Sequence, residues 1–186
     1  MFNIPTYLIE QQILTAAAAS VTFDDITAQV AAITAWTPRH LLLRVNGLTD
    51  GGYDLSTMKM QFNGDTGNNY HDQRVQGDGS SATAARRDSQ NHYLGLFIPD
   101  QATGGTSGYG GGSVLVPDAF STRSHKSILS FGGAIEDRVY AVAGRWGNTS
   151  IITSVVLTPD GGDWVSGSSF DLCVVDESFN HTEEII

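Results

Sequence analysis

The sequence contains a single cysteine, Cys173, and this scarcity excludes an intrachain disulfide. Cys173 lies in the apolar run 172–175, where we expect it to be buried, because reactive thiols need exposure and a nearby cation. A chain of 186 residues buries roughly 70% of the surface that its unfolded form exposes. We therefore expect one domain whose hydrophobic core needs neither a disulfide nor a metal ion.

Basic residues are also scarce. The chain has 10 Lys and Arg against 20 Asp and Glu, a formal net charge of −10. None of the basic residues precedes Arg39 and none follows Arg145. A surface of this sign repels phosphate, so we do not expect nucleic-acid binding. No apolar run reaches the roughly 18 residues of a membrane span. The N-terminal region lacks the basic and apolar parts of a signal peptide, so we expect neither membrane insertion nor export.

Helical periodicity is nearly missing as well. Only the stretch 25–33 predicts a helix, of about two turns, with Asp24 or Asp25 as its N-cap. Alternation of apolar and polar residues is frequent, and in 57–62 it puts Met58, Met60 and Phe62 on one face. Glycine, proline, asparagine and aspartate separate such runs. We predict an all-β chain of two antiparallel sheets packed as a β-sandwich, with at most one or two short helical turns.

Three parts are predicted along the chain: an apolar N-terminal leader or arm at 1–19, a β-sandwich domain at 20–175, and an acidic C-terminal tail at 176–186. Within the sandwich, two stretches have the composition of long loops. Residues 76–90 are small and polar, and residues 101–112 contain six glycines around Tyr109. Loops of this kind cost little to extend and frequently carry binding residues.

Two segments carry sequence motifs. The first motif segment, 60–70, reads MQFNGDTGNNY, and the second, 145–173, contains RWGNTSIITSVVLTP, then GGDW and GSSFDLC. In residue types and spacing they resemble a jelly-roll-like β-sandwich module of tailed-bacteriophage virion proteins, which include head decoration and tail-fibre-type proteins. The resemblance implies a jelly-roll-like topology and a location on the outer surface of a virion, in a protein made in the cytoplasm of the bacterial host. It implies no chemistry.

No catalytic or metal-binding pattern is evident, so we expect no enzyme, no cofactor and no metal ion. Ser124-His125 is a dipeptide without a third group that orients the base. The carboxylate pairs at 24–25 and 183–184 lack apolar surroundings. The five histidines are scattered, which argues against a zinc site. Loops 65–69 and 160–163 offer oxygens that calcium favours, but turn formation accounts for these residues too.

These observations favour a protein that works by contact with other molecules. Apolar side chains near the two ends are costly to leave in water and are expected to lie on neighbouring subunits. They are Phe2, Tyr7, Phe179, Ile185 and Ile186. We expect a non-enzymatic capsid decoration (cement) or head-attached protein that binds phage capsid or tail proteins and forms a homo-oligomer. The resemblance favours a trimer.

The alternative function is a tail-associated receptor-binding module that recognises a glycan of the host surface. In this hypothesis Tyr109 stacks on a sugar, because tyrosine offers a rigid ring with a polar tip. The absence of heptads for a trimerising stalk favours decoration over a tail fibre. A carbohydrate-active enzyme is a third hypothesis, and it requires two carboxylates that face each other across a cleft.

Overall fold

The computed structural model describes residues 6–33, 39–52, 55–99, 108–134 and 138–175. These residues form twelve strands and one short helix. In chain order they are β1 (Thr6–Ile13), β2 (Val21–Phe23), α1 (Ile26–Ile33), β3 (His40–Gly47), β4 (Leu55–Phe62), β5 (Tyr70–Gly77), β6 (Ala82–Gln90), β7 (Tyr93–Pro99), β8 (Gly110–Val116), β9 (Lys126–Ala134), β10 (Arg138–Trp146), β11 (Val155–Pro159) and β12 (Ser169–Val175).

The strands form two antiparallel sheets that pack face to face. The larger sheet has eight strands in the order β1-β12-β3-β8-β9-β10-β5-β6, and the smaller has four in the order β2-β11-β4-β7. The chain crosses repeatedly between them, since β2, β4, β7 and β11 lie in the small sheet and the intervening strands in the large one. The predicted all-β fold, a two-sheet antiparallel sandwich with very little helix, is confirmed.

The core between the sheets follows from the alternation within the strands. In β4 the side chains of Met58, Met60 and Phe62 are fully buried, as predicted, and their neighbours are less so. Trp146 and Trp164, both in the second motif segment, are completely buried. Cys173 is buried too, and desolvation raises the pKa of its thiol, which keeps the sulfur protonated and unreactive at neutral pH.

The helix lies where the sequence predicts it. The carbonyl of Asp25 accepts hydrogen bonds from the backbone N–H groups of Ala28 (2.9 Å) and Gln29 (3.0 Å), which close the first turn of α1. Two turns of this length gain most of their stability from packing rather than from helix propensity, and Ile26 and Val30 are buried in the core. The described part of the chain contains no helix that is long and apolar enough to cross a membrane.

Residues 76–90 are not a loop, and this prediction was wrong. They belong to a hairpin of β5 and β6 with a turn at 78–81. The carboxylate of Asp78 holds that turn by accepting the backbone N–H groups of Ser80 (3.0 Å) and Ser81 (2.7 Å), while Gly79 adopts a φ of 84°. Most of β6 is exposed, so its side chains need not be apolar. Backbone pairing with β5 makes it a strand in spite of a small and polar composition.

The two motif segments are joined through the side chain of Asn63. Its Nδ2 donates to the carbonyl oxygen of Ile151 (2.7 Å), and its Oδ1 accepts the backbone N–H groups of Thr153 (2.8 Å) and Ser154 (3.1 Å). Asn63 and Gly64 form the tight turn after β4 with φ values of 52° and 66°, as the Asn-Gly pair predicts. One side chain thus satisfies the backbone at the entry of β11 and fixes it to the end of β4.

Aromatic packing completes this junction. Phe62 lies 5.5 Å from Trp146 and 6.3 Å from Tyr70, measured between ring centroids. Trp146 Nε1 donates to Asp65 Oδ2 (2.7 Å), and the backbone N–H of Phe62 donates to the hydroxyl oxygen of Tyr70 (2.9 Å). The residues that carry the motif therefore hold the sandwich together.

Asp65 should make the stability of the fold depend on acid pH. Partial burial raises the pKa of Asp65, but hydrogen bonds from Trp146, Asn69 and Gly67 outweigh it, and the pKa lies below its ordinary value of 3.8. A carboxyl whose pKa is lower in the folded than in the unfolded state stabilises the fold above the unfolded pKa, and this contribution is lost as the pH falls through the folded pKa. Asp65→Asn keeps an acceptor for Trp146 but does not titrate.

We therefore expect the melting temperature of Asp65→Asn to fall less than that of the wild type between about pH 5 and about pH 2. Thermal unfolding followed by tryptophan fluorescence measures this difference. Two parallel curves across that range would show that the bonds to Asp65 do not favour its charged form.

An ion pair with a buried carboxylate joins the two strands of the β5–β6 hairpin. Arg87 of β6 donates from Nε to Asp72 Oδ1 (2.9 Å) and from Nη2 to Asp72 Oδ2 (2.6 Å). The Asp72 side chain is 2% exposed and also accepts the backbone N–H of Leu94 (3.2 Å). Both carboxylate oxygens are therefore bonded, as a buried charge requires.

Candidate interaction surface

Two of the six predicted contact residues, Tyr7 and Tyr109, lie in the described part of the chain. Phe2, Phe179, Ile185 and Ile186 lie outside the described residues, as does the predicted tail 176–186. Tyr7 belongs to β1, an edge strand of the large sheet, where it is opposite Val174 of β12 and is 37% exposed. Residues 6–13 of the predicted leader are thus built into the sheet.

Tyr109 precedes β8 and packs against a turn. Its hydroxyl donates to the carbonyl oxygen of Ser166 (2.7 Å). The ring lies against Gly167, whose φ is 93°, and a Cβ atom at Gly167 would approach the Tyr109 hydroxyl oxygen to 2.5 Å. Tyr109 is half-buried there. Its hydroxyl is already engaged within the fold, and glycan stacking by its ring stays a prediction.

The buried lysine, Lys126, stabilises the fold by binding backbone carbonyl groups. Lys126 is 1% exposed, and its Nζ donates to the carbonyl oxygens of Ser121, Ser124 (3.3 Å) and Thr149 (3.2 Å). Desolvation lowers the pKa of Lys126. All three of its N–H donors face carbonyl oxygens, which leaves no lone pair for attack as a nucleophile. The ammonium group closes the loop between β8 and β9.

The other polar residues that the sequence analysis considered as catalytic or metal-binding candidates do not come together in one site. Ser124 and His125 are exposed in the loop before β9. The carboxylate of Asp65 is occupied by Trp146, Asn69 and the N–H of Gly67. Across the described ranges, no three residues among histidine, cysteine, aspartate and glutamate are grouped so that they could hold a metal ion.

An apolar surface covers part of the outer face of the large sheet. We call it the outer patch and define it by Val75, Leu129, Phe131, Val139 and Ala141. Ala141 of β10 is opposite Phe131 of β9 on one side and Val75 of β5 on the other. Residues two apart on a strand share a face, so Leu129 and Val139 project on the same side. Their neighbours in sequence, Ile128, Tyr140 and Val142, fill the core.

The outer patch is strongly exposed. The exposed fraction is 64% for Phe131, 55% for Val75, 54% for Val139 and 47% for Leu129. Between them lies a shallow groove of about 310 Å³ that is lined by apolar atoms. Covering four side chains that are about half exposed would contribute on the order of 4 kcal/mol. Contiguous apolar patches of this kind mark interaction sites.

The strands around the patch carry positive charge although the chain is acidic. β5, β6 and β10 contain five arginines, but Arg74, Arg87 and Arg138 lie on the same side of the sheet as the inward-facing side chains, and Arg87 is paired with Asp72. The outer face of these strands therefore carries Arg86 and Arg145 against Asp88, a formal charge of +1. The whole chain carries −10. Arg86 and Arg145 are exposed and line a second shallow groove beside the patch, with His71 and Asp88. An acidic, partly apolar ligand matches this surface.

Sequence reasoning missed the patch because β9 and β10 are apolar on both faces. In β9 the inward side chains include Lys126, Ile128 and Ser130, and Ser130 forms a hydrogen bond with the buried Tyr93 hydroxyl (2.9 Å). The large apolar side chains of Leu129 and Phe131 are on the outward positions. Because a polar serine lies on the buried face and larger apolar residues lie on the exposed face, the sequence of β9 does not indicate which face is exposed. The register of the strands does.

No family model, curated protein or solved structure matches this chain.

Proposed function

We propose that this chain is a structural protein of a tailed-phage virion, a capsid decoration or head-attached protein that acts by protein–protein contacts and not by catalysis. The resemblance of the two motif segments supports the phage setting. The outer patch is the observation that carries the mode of action, because exposed apolar side chains on a paired sheet can be covered without reorganising the backbone. A surface that is rigid before binding loses little conformational entropy on association.

The contact surface in this proposal is the outer face of β5, β9 and β10. Phe131 is its central aromatic residue, Val75, Val139 and Leu129 surround it, and the exposed Arg86 and Arg145 border it. Aromatic anchors at the centre of an interface usually contribute most of the binding energy, and charged residues at the rim contribute orientation and association rate. The partner is a protein of the particle or another copy of the chain.

Copy number on purified particles tests the proposal. A decoration protein covers a capsid lattice, so we expect hundreds of copies per particle, counted by quantitative mass spectrometry against the major capsid protein. The virus used must be the one that encodes the chain, and particles need to be purified on density gradients to remove loosely bound protein. Absence of the chain from such particles would refute the proposal.

A count of at most a few dozen would favour the alternative, a tail-associated module that binds a host glycan. That hypothesis places Tyr109 in contact with sugar. Its direct test is adsorption to host cells by particles with Tyr109→Phe, which keeps the ring but removes the hydroxyl bonded to Ser166, compared with Tyr109→Ala.

A further inference from the structure

We propose that the outer patch of one copy binds the acidic segment 176–186 of a neighbouring copy. The inference rests on the proposed function, in which copies of the chain lie side by side, and it names the partner of the patch. The segment reads DESFNHTEEII. It combines the two properties that the patch requires of a ligand, apolar side chains and negative charge.

The apolar part of the segment fits the composition of the patch. Phe179, Ile185 and Ile186 are large side chains that an exposed position would leave in water, and the patch offers Phe131, Val75 and their neighbours. The side chains involved are phenylalanine and isoleucine in the segment and phenylalanine and valine in the patch. None of them contains a polar atom. Such a contact therefore leaves no hydrogen-bonding group unpaired.

The charges are complementary. The segment carries four acidic residues, Asp176, Glu177, Glu183 and Glu184, and no Lys or Arg, a formal charge of −4. The outer face of β5, β6 and β10 carries +1, from the exposed Arg86 and Arg145 against Asp88. In a chain with a charge of −10, most of the surface repels an acidic segment, and the edge of the patch with the exposed Arg86 and Arg145 attracts it.

Geometry favours a neighbouring copy over the same copy. Phe131 and Asp171 lie on one line that crosses the sheet at right angles to the strands. The paired residues along this line are Phe131–Ser113, Ser113–Arg44 and Arg44–Asp171. Ala141, at the centre of the patch, is opposite Phe131 and is four strands from β12. With strands about 4.8 Å apart and a rise of about 3.3 Å per residue, the distance from the Cα of Val175 to that of Ala141 is about 23 Å.

Phe179 follows Val175 by four residues, and a fully extended chain of four residues spans at most about 14 Å. In its own copy Phe179 therefore cannot reach the centre of the patch, and only the last residues of the segment can. In a neighbouring copy the whole segment can lie on the patch. A contact of this type joins two different surfaces, and repeated around an axis it closes into a ring.

Complementation between two full-length variants tests the proposal. Phe131→Asp damages the patch and leaves the segment intact, and Phe179→Asp damages the segment and leaves the patch intact. Sedimentation velocity should show an oligomer for the wild type and at least tenfold weaker self-association for each variant alone. In an equal mixture, the segment of the Phe131→Asp chain can bind the patch of the Phe179→Asp chain, so we expect a heterodimer to reappear.

Ile13→Asp is the matched control, because Ile13 is 58% exposed on β1 of the same sheet but lies outside the patch. It should associate like the wild type. A monomeric wild type, or an oligomer that Phe179→Asp leaves intact, would overturn the inference. A mixture that stays monomeric would overturn it as well. These results are independent of copy number on particles, so the inference and the proposed function can fail separately.

Discussion

Replacing Arg87 with methionine is expected to lower the free energy of unfolding by about 3–5 kcal/mol, because it leaves the charge of Asp72 buried without its partner. The Asp72 side chain is 2% exposed, and among the described residues the N–H of Leu94 is the hydrogen-bond donor that would remain to it after the replacement. Methionine preserves most of the apolar stem of arginine, so the loss reports the charge and the hydrogen bonds. Urea unfolding measures it, with the buried Trp146 and Trp164 as fluorescent reporters.

Arg86→Met is the matched control for this experiment. Arg86 is the preceding residue on the same strand and pairs with Asp88, but its side chain is 70% exposed and that of Asp88 is 49% exposed. Exposed ion pairs contribute about 0–1 kcal/mol. A second variant, Arg87→Met with Asp72→Asn, removes the unpaired charge and should recover part of the lost stability. If Arg87→Met costs no more than Arg86→Met, the pair does not stabilise the hairpin.

The sequence was sufficient to predict the fold class because the strands that line the core alternate cleanly. Met58, Met60 and Phe62 identify the inward face of β4, and the turn at Asn63 and Gly64 follows from the residue types. The hairpin of β5 and β6 could not be predicted in this way. Most of β6 is exposed, and its strand structure depends on pairing with β5 and on a turn that Asp78 closes.

The candidate interaction surface was less predictable than the fold. The predicted contact residues were chosen because they are apolar and near the ends of the chain, and of these Tyr7 is placed on an edge strand. The outer patch is assembled from three strands that are distant in sequence, β5, β9 and β10. The pairing of Phe131, Ala141 and Val75 is a property of register, which no single strand of the sequence reveals.

Phe131→Asp is expected to reduce occupancy of the chain on virus particles by at least about tenfold, the equivalent of about 1.4 kcal/mol. Phe131 is the most exposed large apolar side chain of the patch, and an aspartate there would bury a charge in any interface that covers Ala141 and Val75. Isolated charges are costly to bury. The substitution should not affect folding, because the side chain points away from the core.

Reattachment of the protein to particles shows whether this sandwich works through the outer face of its large sheet. Particles that were assembled without the chain are incubated with purified wild type, Phe131→Asp or Ile13→Asp, and the bound copies are counted after sedimentation. All three proteins should unfold at similar urea concentrations. We predict that the wild type and Ile13→Asp bind to the same level and that Phe131→Asp is largely lost. Equal binding by Phe131→Asp would show that the outer patch is not the surface that contacts the particle.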